Sequence, residues 1–570
     1  MKSKYKILYL SIAASLLPVS TTFSDEYSNK LEVMKIRNTS LYLIKKLVEQ
    51  GVLTKQQAIS LVKESEAAAI KDVKKLNQQD KSKQVENNKL EKVHEIEPGT
   101  IRIPLIPEIV KQEISEKLSN KVREAVTSDV LAKAKQERWG IPGVLPGWVD
   151  RIKITGDIRL RGQSDIFDGN NTNPIESGFG YFDYQAVNTA GGNTAAGDKV
   201  FINTYENRDR LRVRARLGIK GKITQGWKAG MRLATGNFTD PVSTNQTLGN
   251  SNRNSRLVLE RAYVNYESEF GDFKWSGGRI PNPWLSTNLV WDKDLNFDGM
   301  AFKFHLNKSE NPLEIDEETA FDSFFTLGTF PLAEQNRYND KWLFGAQIGF
   351  HYEFTNTSRL SMALAYYDYQ DIEARRNAIN STTNNHTVPD YVQQGNSMFN
   401  INQTGGEKYG LATDYNLLNF TVMYDMADFA PTHIYLTADI VKNIGYEITN
   451  DARLSDPNTV GASGYQEQTE GYQIRVDVGW PDYTVRGNWR AYFSYKKLER
   501  DAVVDAYTDS DFHLGGTDAE GYTLGFNYGI DENVWLSTKW ISTDVIDGIQ
   551  FGPGGQYRVN TVQLDLNAKF

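Results

Sequence analysis

Arg210, Arg212, Arg214 and Arg216 occupy alternate positions of the run RDRLRVRARLGIKG, with Leu211, Val213, Ala215, Leu217 and Ile219 between and after them. Successive side chains of an extended strand point to opposite faces, so the guanidinium groups share one face and the apolar set the other. Adjacent runs repeat the arrangement. Arg159 and Arg161, with Asp157, alternate with Ile154, Ile158 and Leu160, and Lys228 and Arg232 alternate with Trp227, Ala229, Met231 and Leu233. Arg261 and Lys274 extend the same basic wall. A wall of this kind attracts anions, or orients polar solutes across a transverse field. It equally suits a structural network in which the arginines pair with acids on an inserted segment.

Other chemistry finds little support. The six histidines are scattered without metal-ligand spacing, and the absence of cysteine excludes thiolate ligands and thiol nucleophiles. The stretch GGNTAAGD at 191–198 is Gly-rich but lacks the Lys-Ser/Thr of a phosphate loop, and reads as a flexible surface loop. Asp505, Asp509 and Asp511 could bind divalent cations, although such clusters are ordinarily solvated. No catalytic residue, metal or cofactor is expected, the chain does not read as an enzyme, and nucleic acid is not an expected partner.

Strands must position the basic wall. From Trp342 to Phe354, Trp342, Phe344, Ala346, Ile348, Phe350, Tyr352 and Phe354 alternate with small or polar residues. The segments 472–480, 522–530 and 561–570 repeat the pattern. About sixteen such runs follow Trp148, and their connections alternate between long polar segments and short turns. The exception is 307–318, a dozen residues where a turn is expected. This is the signature of an all-β, transmembrane, up-and-down antiparallel barrel. In hydrocarbon every backbone donor and acceptor must be paired, and strands achieve this only in a closed barrel. An arginine facing lipid near the bilayer centre costs roughly 2–4 kcal/mol, so the ladder must face the lumen. Sixteen strands leave that lumen aqueous. Two loops are candidates to fold inward, 282–296 with Trp284, Trp291, Asp292 and Asp294, and the longer 163–207.

The N-terminal quarter differs. Lys2, Lys4 and Lys6 precede an apolar stretch from Ile7 to Leu17, and small residues at Thr22 and Ser24 suggest cleavage. That stretch is too short to span a bilayer, so residues 1–24 read as a secretory signal peptide. Residues 25–138 read as a periplasmic helical region with a charged linker. Leu41, Ile44, Leu47 and Val48 lie on one helical face ending at Gly51, and Thr54 with Gln57 forms a capping box. Residues 139–150, with Trp139, Pro142, Pro146 and Trp148, form a junction, and 151–570 the outer-membrane β-barrel.

Several stretches resemble a known family, the bacterial putative porins: ENRDRLRVRARLGIKGKI, MRLATGNFTDPVSTNQTLGN, LERAYVNYE and GGRIPNPWLSTNLVWDKDLNFDGMAFKF among them. The resemblance implies an outer-membrane channel with a periplasmic helical N-terminal region, and brings no catalytic residues. General porins set a basic wall against an acidic constriction loop, so attraction of anions and pairing with acids are compatible. Ending at Phe570 after alternating apolar residues is similar to the signal that outer-membrane proteins present to the barrel-assembly machinery. The expected partners are therefore membrane lipid and lipopolysaccharide, that machinery, and small hydrophilic solutes or anions. A homotrimer follows by analogy alone. The competing expectation is a plugged structural or adhesive barrel tethered in the periplasm.

Overall fold

The computed structural model describes residues 151–306, 320–354, 358–447, 467–547 and 555–570. The expected signal peptide, helical region and junction lie outside the described residues, as does the long connection at 307–318.

Sixteen strands form the wall: β1 Ile152–Phe167, β2 Arg208–Thr224, β3 Trp227–Thr235, β4 Leu257–Glu267, β5 Phe273–Pro281, β6 Asn296–His305, β7 Ala320–Ala333, β8 Lys341–Glu353, β9 Arg359–Gln370, β10 Asn416–Met426, β11 His433–Asn443, β12 Glu470–Gly479, β13 Trp489–Leu498, β14 Ala519–Asp531, β15 Val534–Val545 and β16 Arg558–Lys569. Each pairs antiparallel with its sequence neighbours, and β1 pairs with β16 from Asp157↔Lys569 to Phe167↔Val559, closing the sheet. Closure leaves no open edge, as the low-dielectric surroundings require. β3 is too short to cover the upper half of β2, and Gln246–Thr247 from the next loop fills that edge against Arg212 and Val213.

The two-residue alternation sorts the faces. Ile158 and Leu160 are 48% and 49% exposed on the outside, whereas Arg159 and Arg161 are 5% and 2% exposed on the inside. The inner face is divided. From β5 to β11 it carries buried Ile280, Phe297, Ala301, Phe330, Leu343, Tyr367 and Leu417, whereas β12 to β16 present Gln473, Ser494, Lys496, Gln563 and Asp565.

The long connections differ from the polar loops expected of them. Trp284, Leu289, Trp291, Val392, Met398, Tyr409, Val503 and Val504 belong to one buried cluster that fills the apolar half of the interior. The alternating run over 409–425, which reads in sequence as one of the sixteen strands, is two elements, because Tyr409–Leu411 pairs with Met398–Asn400 and the barrel strand starts only at Asn416. Tyr409 and Leu411 pack into that large cluster and Ala412 into a small core with Ala374, Phe399 and Ile401, so alternation here serves the interior, not lipid. The Gly-rich 191–198 stretch is mostly exposed and carries a helical turn at Asn193–Ala196, continued by a 3-10 turn at Gly197–Lys199.

Candidate permeation path

The ladder stands on two adjacent strands. Register places Arg159 opposite Arg214 and Arg161 opposite Arg212, so like charges face one another directly and need compensation. The wall and two loops supply it. Arg161 binds Asp565 with two N–H···O bonds of 2.8 and 2.9 Å and Asp511 at 3.0 Å. Arg214 binds Asp157 at 2.9 Å, Arg216 binds Asp294 at 2.7 Å, and Arg210 pairs with Asp165. Arg159 donates to Asn245 and lies 4.0 Å from Asp565. Among the described residues Arg212 forms no ion pair, and its guanidinium donates to Gln163 Oε1 at 3.2 Å.

The other basic positions spread along the inner face. Arg232 pairs with Glu260, which a bulge between β3 and β4 turns inward, and Arg261 donates to Asn296 Oδ1 at 2.6 Å. Lys228 pairs with Glu267 at 2.8 Å near the turn end of the barrel. Lys274 is exposed near that end, in register with Lys303. Phe570 sits where β16 meets β1, exchanging backbone bonds with Gly156 of 2.9 and 3.0 Å.

Of the two loops considered for insertion, 282–295 enters the barrel. Leu285 exchanges bonds with Gln347 of β8, Thr287 donates to Asp439 of β11, and Lys496 of β13 donates to the Asn288 carbonyl at 3.1 Å. The 168–207 segment instead roofs the ladder at the loop end, where Asp198, Phe201 and Asn203 face Arg208 and Arg210 across a cavity.

A second loop, 499–518, also enters, which sequence reasoning missed. It braces the first: Thr508 donates to the Leu289 carbonyl at 2.9 Å, and Asp292 accepts from the Ser510 N–H at 2.9 Å. Asp509 binds Lys496 at 3.2 Å and Asp511 binds Lys539 at 2.9 Å. These acids are thus buried partners of the wall, not solvated residues, because the lumen cations offer them compensation. Lys496 and Lys539 were legible, since each lies an odd number of positions from an outward residue, Lys496 three from Phe493 and Lys539 one from Trp540. The inward course of their partner loop was not.

Electrostatics follow from this crowding. Burial opposes ionisation of Asp294, but Arg216, Lys293 and Arg214 outweigh it and hold its carboxyl well below the usual range. Asp511 is held low in the same way by Lys539, Arg161 and Lys293. Asp292 behaves oppositely, pushed up to about 7 by burial and by its neighbours Asp294 and Asp509.

The ladder borders open space. Arg208, Arg210 and Arg212 line a cavity of about 440 Å³ at the loop end. Arg159, Arg161, Arg214 and Arg216 line another of about 630 Å³ on the other side of Asp509.

The sequence from residue 37 to 570 matches the model of a family described as Putative porin. The chain belongs to this family. The porin therefore forms a β-barrel channel of the outer membrane. No curated protein sequence matches it. Among solved structures, this porin is similar to OprB of Pseudomonas putida at 9% identity, covering 74% of this chain and 95% of that one, with a TM-score of 0.42. It is also similar to OmpF of Salmonella typhi (11%, 74% and 97%, 0.37). An anion-selective porin from Comamonas acidovorans matches at 10%, 74% and 99%, with 0.36.

Proposed function

We propose that this porin is a passive channel for small hydrophilic solutes in which anions are favoured. The supporting observation is the division of the interior. The apolar loop core occupies the side of β5 to β11, and two of the open cavities, one at the loop end and one deeper, lie along the arginine ladder, which supports a path that passes it. Arg212, which forms no ion pair among the described residues, offers positive charge to the upper of these cavities. The long loops face outside and the turns face the periplasm, in keeping with export and with both barrel termini at the turn end.

The plugged, structural reading has one observation in its favour, the apolar core itself. Planar-bilayer recordings separate the two. A plugged barrel conducts little, whereas the channel gives steady single-channel steps with a reversal potential of anion sign in a salt gradient. Replacing Arg212→Ser together with Arg214→Ser moves that potential toward zero. An unchanged value would remove the ladder from the path.

A further inference from the structure

A third cavity, about 510 Å³, lies on the far side of the inserted loop from the arginines. Its rim is formed by Asn237–Pro241, Pro331–Ala333 and Pro389–Tyr391, all at the loop end. Asp294 stands between it and the lower ladder cavity, and Asp240 and Tyr391 between it and the upper one. One wall is aromatic. Trp291 meets Phe297 edge to face at 5.0 Å, Phe297 lies 4.9 Å from Phe330, and Tyr507 lies 6.3 Å from Trp291.

The charged lining does not balance. Glu260, Asp294 and Asp298 are each held by an arginine, Arg232, Arg216 and Arg279 respectively. Asp240, Asp390 and Asp505 also line the cavity but form no ion pair among the described residues. Asp240 accepts the N–H groups of Val242 and Ser243, both at 3.0 Å. Asp505 is 3% exposed; one carboxylate oxygen accepts the Gln393 N–H at 2.9 Å, while Oδ1 has no hydrogen-bond partner. Lys341, a cation in the same lining, donates to the carbonyls of Thr387 and Val388 at 2.9 and 3.0 Å and to no carboxylate.

A buried carboxylate oxygen without a donor is costly, and three acids without an ion pair among the described residues, set against one such cation, Lys341, make an anion unwelcome. Aromatic faces beside carboxylates are the complement of a compact cation with an apolar body, since the rings attract both its charge and its hydrocarbon. We infer that this cavity binds a small organic ammonium ion carrying an apolar, aromatic-sized body, beside the arginine path and not within it. The inference rests on the channel reading only for access, because the ligand must arrive from the open loop end.

Calorimetric titration of the full chain in non-ionic detergent tests it, with benzylammonium and the neutral benzyl alcohol as probes and micelles alone as the blank. Benzylammonium should bind saturably, and benzyl alcohol at least tenfold more weakly, a comparison that needs no variant. Asp390→Asn combined with Asp505→Asn should weaken benzylammonium by a further tenfold or more. Equal binding of the two probes, or no saturable heat, would overturn the inference. Bilayer recording on the same preparation separates the failures: a silent barrel defeats the channel reading, and a conducting barrel that ignores benzylammonium defeats this one.

Discussion

Single residues decide how the inserted loop sits. The indole of Trp284 in that loop abuts Gly345 of β8, where an added Cβ would come within 2.6 Å of its ring. Gly345→Val should therefore lever the loop off the wall, and single-channel conductance should rise. An unaltered conductance step would show that this contact does not set the loop. Asp292 supplies the pH response. Its folded value, up to about 7, lies above the ordinary carboxylate range, so acidification through neutrality neutralises it while Asp294 stays charged. The lumen then loses a negative charge, and anion preference should increase between pH 8 and pH 5. For stability the sign is the reverse of the usual carboxylate: ionisation on raising pH through this window weakens the loop's seat. Asp505, also pushed up to about 7 by burial and then by Asp501, contributes in the same direction. Asp292→Asn should flatten the pH dependence of the reversal potential.

At the level of elements, closure of the barrel concentrates on the β1–β16 seam. The Phe570 ring occupies the space where a Cβ on Gly156 would stand, 2.2 Å from the ring carbon Cζ. Terminal backbone bonds hold the same pair of residues. Deleting Phe570 should impair insertion, read as a loss of heat-modifiable barrel on gels, and Gly156→Val should reproduce the defect by displacing the ring. Normal yields from both variants would show that the terminal ring is dispensable. Phe570 was legible from alternation alone, because Val562, Leu564 and Leu566 continue outward to it. Its glycine socket was not, since only pairing across the seam brings residue 156 beside residue 570.

The molecule as a whole carries a charge arrangement that salt should reveal. Screening lengths fall from about 10 Å at 0.1 M to about 3 Å at 1 M, so at high salt the ladder's field reaches less far into the cavities that border it. Anion preference should therefore decline toward the bulk mobility ratio over that range. A preference that ignores salt would point to tight local binding in place of a diffuse field. The ladder's strength is also a property of the assembled barrel. Asp565 on the last strand and Asp294 and Asp511 on two loops neutralise arginines on the first two strands.

Periodicity alone determined the barrel, the strand count and the inward direction of the arginines, because lipid imposes a two-residue rule that each strand obeys separately. Where the loops go obeys no such local rule. The sequence singled out 282–296 as a candidate through its tryptophans and acids, yet the roofing role of 168–207 and the entry of 499–518 appear only in the fold. Those segments find their places through contacts between residues more than two hundred positions apart, such as Leu289 with Thr508. Tertiary structure likewise decided that, of Arg210 to Arg216, Arg212 has no ion pair among the described residues, since compensation depends on carboxylates that arrive from across the lumen.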